Sequence, residues 1–129
     1  MAVGGPPPNT ILVVEDDPLV QMVTVDTVEA AGFMVLQADN ADEAVAILET
    51  RSDIALLLTD IDMPGSMDGL KLAHAVRHRW PPIKIIVVSS RVPALGLPAD
   101  SRFFCKPYRA EAMISEIHSM LGRELLRQA

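Results

Sequence analysis

Cysteine is nearly absent: Cys105 is the single one in 129 residues. No intramolecular disulfide can form, and no thiolate metal site can be assembled from one sulfur, which fits a reducing compartment. Long apolar runs are missing too, since nothing approaches the ~18 residues that a membrane span needs. The N-terminus reads Met-Ala-Val-Gly-Gly-Pro-Pro-Pro and lacks the basic region and apolar core of a secretory signal. Positive charge is scarce, with 11 Lys and Arg against 17 Asp and Glu and a net charge of −6. A basic grip on nucleic acid is therefore not expected. Neither nucleic acid nor membrane is expected as a partner, and the expected location is the cytoplasm. No internal repeat is present.

Half of the residues are apolar and 22% are charged, enough for one folded domain of ordinary composition. Residues 1–9 are rich in Gly and Pro and read as a disordered tail; residues 10–129 read as the domain. Within it, short apolar runs alternate with helical periods. The runs are Thr10–Val14, Phe33–Gln37, Ile54–Thr59, Ile83–Val88 and Arg102–Cys105.

Asp17-Pro18 predicts a helix start with Pro at the first position, and Gly32 predicts its end. Val20, Val23, Thr24, Thr27, Val28 and Ala31 form its inward stripe, with Gln21, Asp26 and Glu29 on the other side. Leu19, Met22 and Val25 fall towards the polar side, either as scattered surface apolars or as a docking patch for a partner's helical bundle. Asn40 and Glu43 form a capping box for a helix to about Thr50. Further helices run from Gly69 to about Arg79 and from about 109 to 127. Pro93, Gly96 and Pro98 leave little room for a helix between the last two strands. Alternating strands and helices, with strands apolar on both faces, predict a parallel α/β sheet. Sites in such sheets lie at the carboxyl ends of the strands.

The charges fall at those ends. Glu15 and Asp16 follow the first strand, Asp60 closes the third, Ser89 follows the fourth and Lys106 follows the fifth. Three carboxylates within ~5 Å repel by about 3 kcal/mol per pair at an effective dielectric of 20, so a cation is expected among them. An all-oxygen set favours a hard ion such as Mg2+, which still binds phosphate oxygens. The arrangement suits phosphoryl transfer to a carboxylate, with the ammonium neutralising oxygen charge and the hydroxyl donating to a phosphoryl oxygen.

The stretches ILVVEDDPLV, LLLTDIDMPGSMDGL, IIVVSS and FFCKP resemble the receiver domains of bacterial two-component response regulators, over about residues 10–126. The resemblance implies a five-stranded parallel sheet in order 2-1-3-4-5 with helices on both faces. It implies Asp60 as phosphoacceptor and Asp16 as direct metal ligand, with Glu15 beside it acting through water and Asp62 offering its backbone carbonyl. It further implies Lys106 as the lysine that pairs with the acceptor or its phosphoryl group, Pro107 in a cis bond, and Ser89 and Phe103 as the switch pair.

Two departures stand out. The loop from Asp60 to Gly69 is one residue longer than usual, with Gly65-Ser66 the insertion. The Ser89–Lys106 interval is several residues short, so the fourth helix is expected to be reduced or absent, and the family's dimer face and usual Phe103 motion are not expected to carry over unchanged. Asp62 and Arg91 are expected to pair across the pocket mouth and slow hydrolysis.

Other residues have plainer readings. Asp17 is a helix cap, and Ser90 is the alternative to Ser89. His74 and His78, four apart on a helix, lack a third zinc ligand and read as a solvated face. His118 reads as a surface residue, Cys105 as packing within a buried strand, and Met63-Pro64 and Met67 as loop structure.

The expectation is a single-domain response regulator without an attached output domain, phosphorylated by a histidine kinase or histidine phosphotransfer protein. It acts by contact as adaptor, relay or phosphate sink, and catalyses only its own phosphorylation and dephosphorylation. Rival readings are a phosphatase using the Asp60-x-Asp62 pair and a phosphorylation-independent interaction module with the same fold.

Overall fold

Branched apolar side chains in extended backbone point alternately to opposite faces, so a continuous run of them is stable only when both faces are covered. Three strands meet that condition. In the computed structural model, which describes residues 9–62, 69–93 and 96–127, β1 (Thr10–Val14) and β3 (Ile54–Asp60) are buried throughout. β4 (Lys84–Ser89) is buried after its first residue. They form the centre of a parallel sheet whose edges are β2 (Met34–Ala38) and β5 (Arg102–Cys105), in the expected order β2-β1-β3-β4-β5. β2 and β4 each begin one residue later than the apolar runs suggest. The expected tail before residue 9, the Gly65-Ser66 insertion, Met63-Pro64 and Met67 lie outside the described residues.

The alternation divides the core into two layers. Leu12, Val14, Leu57, Ile85 and Val87 meet α2 (Ala41–Thr50) and α3 (Gly69–Arg79) through Ala44, Leu48, Leu72 and Val76. Ile11, Val13, Leu56, Leu58, Ile86 and Val88 meet α1 (Pro18–Ala30) and α4 (Ala110–Arg127) through Val28, Met113 and Ile117. Burying each such Leu or Ile side chain contributes about 1.5–3 kcal/mol.

The caps form as the sequence predicts. Asp17 Oδ1 accepts from the amides of Leu19 and Val20 at 2.9 and 3.2 Å. Asn40 Oδ1 accepts from the Glu43 amide, while Glu43 reaches back to the Asp39 amide. Gly32, at φ +101°, adopts the left-handed conformation that ends α1.

Between β4 and β5 no helix forms among the described residues, which meets the expectation of a fourth helix reduced or absent. The segment is tied to α3 instead. His74 Nε2 lies 2.9 Å from the Gly96 carbonyl oxygen, and Arg77 Nε donates to the Ala99 carbonyl at 2.8 Å. Leu97 packs against the core and Pro98 is buried.

The inward face of α1 differs from the expected stripe. Val20 and Val23 are exposed, and Gln21, expected outside, is buried. Its Nε2 lies 3.1 Å from the Glu15 carbonyl, 3.0 Å from the Ala38 carbonyl and 3.1 Å from Asp39 Oδ1. It thereby clamps the ends of β1 and β2. Helix geometry explains the correction: Gln21 stands seven residues before buried Val28, almost two full turns, and so shares its face. Cys105 and His118 also depart from expectation. Cys105 ends an edge strand and is exposed, while His118 is half-buried with its ring 5.1 Å from that of Phe33.

Gln21→Ala leaves buried strand-end carbonyls without this donor. The expected loss is about 1–3 kcal/mol of unfolding free energy, measured by urea denaturation. An unchanged midpoint contradicts the clamp.

Candidate functional site

A parallel sheet delivers all its strand ends to one edge, and the polar residues closing these strands meet there. Glu15 directly follows β1, Asp60 is the last residue of β3, Ser89 the last of β4, and Lys106 follows β5. Glu15, Asp60 and Ser89 are buried; Asp16 is exposed. One oxygen from each of Glu15, Asp16 and Asp60 lies within 4.8 Å of the others. Lys106 Nζ donates to Asp60 Oδ2 at 2.6 Å and lies 3.9 Å from Glu15 Oε1. The predicted carboxylates and ammonium thus converge. A pocket of about 270 Å³ opens beside them, floored by Val13, Leu58 and Val88 and walled by Val20, Thr24 and Tyr108. The Lys106–Pro107 bond is cis, as expected.

Backbone contacts hold the set. Glu15 Oε2 accepts from the Asp17 amide at 3.1 Å. The Lys106 amide donates to the Ser89 carbonyl and the Ile61 amide to the Val88 carbonyl, so the loops leave the sheet in step. Gly69, which opens α3, passes so close to Asp60 that a Cβ there would lie 2.1 Å from the Asp60 carbonyl oxygen. Only glycine fits that approach.

Burial pushes the Glu15 carboxyl up to about 8, reinforced by its hydrogen bond and like charge with Asp60. Burial opposes the Lys106 charge, yet the hydrogen bond to Asp60 and the charges of Asp60, Glu15 and Asp62 outweigh it and hold Lys106 above its ordinary value. Three acids served by one ammonium are short of positive charge, and the oxygen-only donor set fits a hard divalent cation.

The expected Asp62–Arg91 pair does not form among the described residues, and Val25 does not face outward. Arg91 is exposed, and among the described residues no ion pair joins it to Asp62. The Asp62 carboxylate turns instead to the end of β4: Oδ1 accepts from Ser89 Oγ and Oδ2 from the Ser90 amide, both at 2.8 Å. Burial would raise Asp62, but the Ser90 amide, the two serine hydroxyls and Lys106 hold it below its ordinary value. Its own amide donates to Asp60 Oδ1 at 2.7 Å. Phe103 is half-buried against the core on the α2 and α3 side. On α1, Leu19 and Met22 are exposed beside Val20 and Val23, whereas Val25 packs inward.

A family model described as response regulator receiver domain matches residues 11–118. Sensor kinase CckA of Brucella abortus is 32% identical over 121 residues, covering 89% of this chain but 13% of the kinase. Transcriptional regulatory protein BaeR of Escherichia coli is 29% identical over 120 residues, covering 88% of this chain and 48% of that protein. The chain therefore spans at most about half the length of these relatives. Among solved structures, a CheY-like receiver domain protein from Methanospirillum hungatei is 26% identical, with a TM-score of 0.81 over 94% of this chain and 98% of that one.

The raised Glu15 carboxyl has a consequence for the metal-free chain. The folded form retains a proton that the unfolded form releases near 4.5. This contribution to stability is complete below that pH and is lost as pH rises towards 8. The raised Lys106 acts above this window and the lowered Asp62 below it. The melting temperature in chelator is expected to fall between pH 5.5 and pH 8.5, and Glu15→Gln to flatten that slope. Parallel profiles for the two proteins contradict this.

Proposed function

Since the chain belongs to the response regulator receiver domain family, we propose that it is a phospho-switch that takes a phosphoryl group on Asp60. The observation that carries this reading is the 2.6 Å contact of Lys106 Nζ with Asp60 Oδ2 inside the triad of Glu15, Asp16 and Asp60. Glu15, Asp16 and Asp60 would hold Mg2+, whose charge lowers the cost of bringing an anionic phosphoryl group to a carboxylate. Asp62 would add its backbone carbonyl.

The chain's own residues do the rest. Lys106 and the Asp62 amide each engage one oxygen of Asp60, which fixes the carboxylate for in-line attack. In the transfer, the N–P bond of a phosphohistidine breaks and an O–P bond forms at Asp60. Lys106 stays ionised and neutralises charge on the phosphoryl oxygens. Water later attacks phosphorus and restores the carboxylate. Turnover is confined to the protein's own acyl phosphate, so it is not an enzyme acting on outside substrates. The phosphatase reading is disfavoured because the second carboxylate of the Asp60-x-Asp62 pair is occupied by Ser89 and Ser90.

The donor is a histidine kinase or histidine phosphotransfer protein, and the chain signals to a protein target as adaptor, relay or phosphate sink. Leu19, Met22 and Val23, exposed next to the pocket wall at Val20, form the surface on which the donor docks. The net charge of −6 disfavours nucleic acid, and among the described residues no helix is long and apolar enough to cross a membrane.

Acetyl phosphate with Mg2+ is expected to add one phosphoryl group, detected by intact mass. Asp60→Asn should abolish it, and omission of the metal should suppress it. Labelling that persists in Asp60→Asn contradicts the assignment. Met22→Asp should keep labelling by acetyl phosphate while losing transfer from a phosphorylated donor protein; equal loss of both would place Met22 in folding rather than docking.

A further inference from the structure

Ser89 is 1% exposed, and a serine hydroxyl carries a single proton to donate. Here that proton goes to Asp62: Ser89 Oγ donates to Oδ1 at 2.8 Å while accepting from the Arg91 amide at 3.2 Å. The next amide, Ser90, is given to the other oxygen of the same carboxylate. Asp62 thus sits across the end of β4 as an anion with two donors in a forked grip. The same residue's amide is on Asp60, so the competing anion is two residues from the acceptor and anchored to it. Hydrogen bonds to an ionised acceptor are roughly twice as strong as neutral ones, so the grip is not given up without a replacement.

We infer that Asp62 is an internal competitor of the phosphoryl group: its carboxylate holds the Ser89 hydroxyl and Ser90 amide in the resting state, and must let go before Ser89 can turn to phosphate on Asp60. The inference rests on the reading of Asp60 as phosphoacceptor. Asp62 is a positioning residue, since its carboxylate acts through Ser89 and not on the reacting atoms. It makes the switch two-state at this point, because one hydroxyl proton cannot serve both anions. It also gives the active form an outward signal. Once displaced, the Asp62 side chain, already at the surface, is a free carboxylate at the rim of the site. The exchange needs no ion pair with Arg91.

The test uses beryllofluoride with saturating Mg2+, a stable stand-in for the phosphoryl group, titrated calorimetrically into the full chain. Asp62→Ala should bind it about tenfold more tightly than wild type, the scale of one charge-assisted hydrogen bond no longer contested. Asp62→Asn, which keeps shape and an acceptor but loses the charge, should fall between and covers the case in which the alanine variant folds poorly. Plain repulsion between two anions would also tighten binding, so the decisive arm is the Ser89→Ala background. There the gain from Asp62→Ala should shrink to about twofold, because the shared donor is gone. A gain undiminished by Ser89→Ala overturns the inference in favour of simple repulsion. Wild-type binding unmoved by either Asp62 substitution overturns it while leaving the Asp60 reading intact. Absence of binding in wild type and every variant overturns both.

Discussion

The ammonium of Lys106 against the carboxylate of Asp60 is the contact on which the rest of this structure turns. Two buried acids and a third at the rim are crowded at one sheet edge, and without a positive partner their ionised forms would repel one another at a cost to stability. Lys106 answers only part of that charge. The remainder is accommodated by the raised Glu15 carboxyl, which keeps its proton where an ordinary glutamate would not. The same shortage of positive charge, on an oxygen-only donor set, is what a hard divalent cation would relieve. Stability is given up at the edge of the sheet and supplied by the apolar layers beneath it.

The sheet makes the arrangement possible because its strands are parallel and its central strands are buried. β1, β3 and β4 are anchored by apolar side chains on both faces, so their last residues have little freedom. Gln21 then ties β1 to β2, and the Lys106 amide ties β5 to the end of β4. Among the described residues before β5, the Gly96 carbonyl lies against His74 and the Ala99 carbonyl accepts from Arg77, which ties the segment to α3.

Much of this was legible in the sequence, and the parts that were not share a physical cause. Continuous apolar runs, Asp17 before Pro18, Asn40 with Glu43 and Gly32 all act locally, and each forms the element it predicts. The strand-end acids and Lys106 were legible because parallel topology forces strand ends together. Gln21 is polar yet shares the helical face of Val28, and its partners lie at the ends of two different strands, out of reach of any local pattern. Opposite charge and matching positions two residues past Asp60 and Ser89 point to an Asp62–Arg91 pair, but the end of β4 offers the Asp62 carboxylate the Ser89 hydroxyl and the Ser90 amide, which it takes instead. The apolar run around Cys105 reads as a buried strand, but β5 lies at the sheet edge and its terminal side chain faces out.

Calorimetric titration of Mg2+ into the metal-free chain probes the acidic cluster itself. Saturable binding of one ion is expected, weakened by at least about tenfold in Asp16→Asn, as when a ligand of an oxygen site is lost. Absence of saturable binding, or an affinity indifferent to Asp16→Asn, would contradict a cation site among these acids.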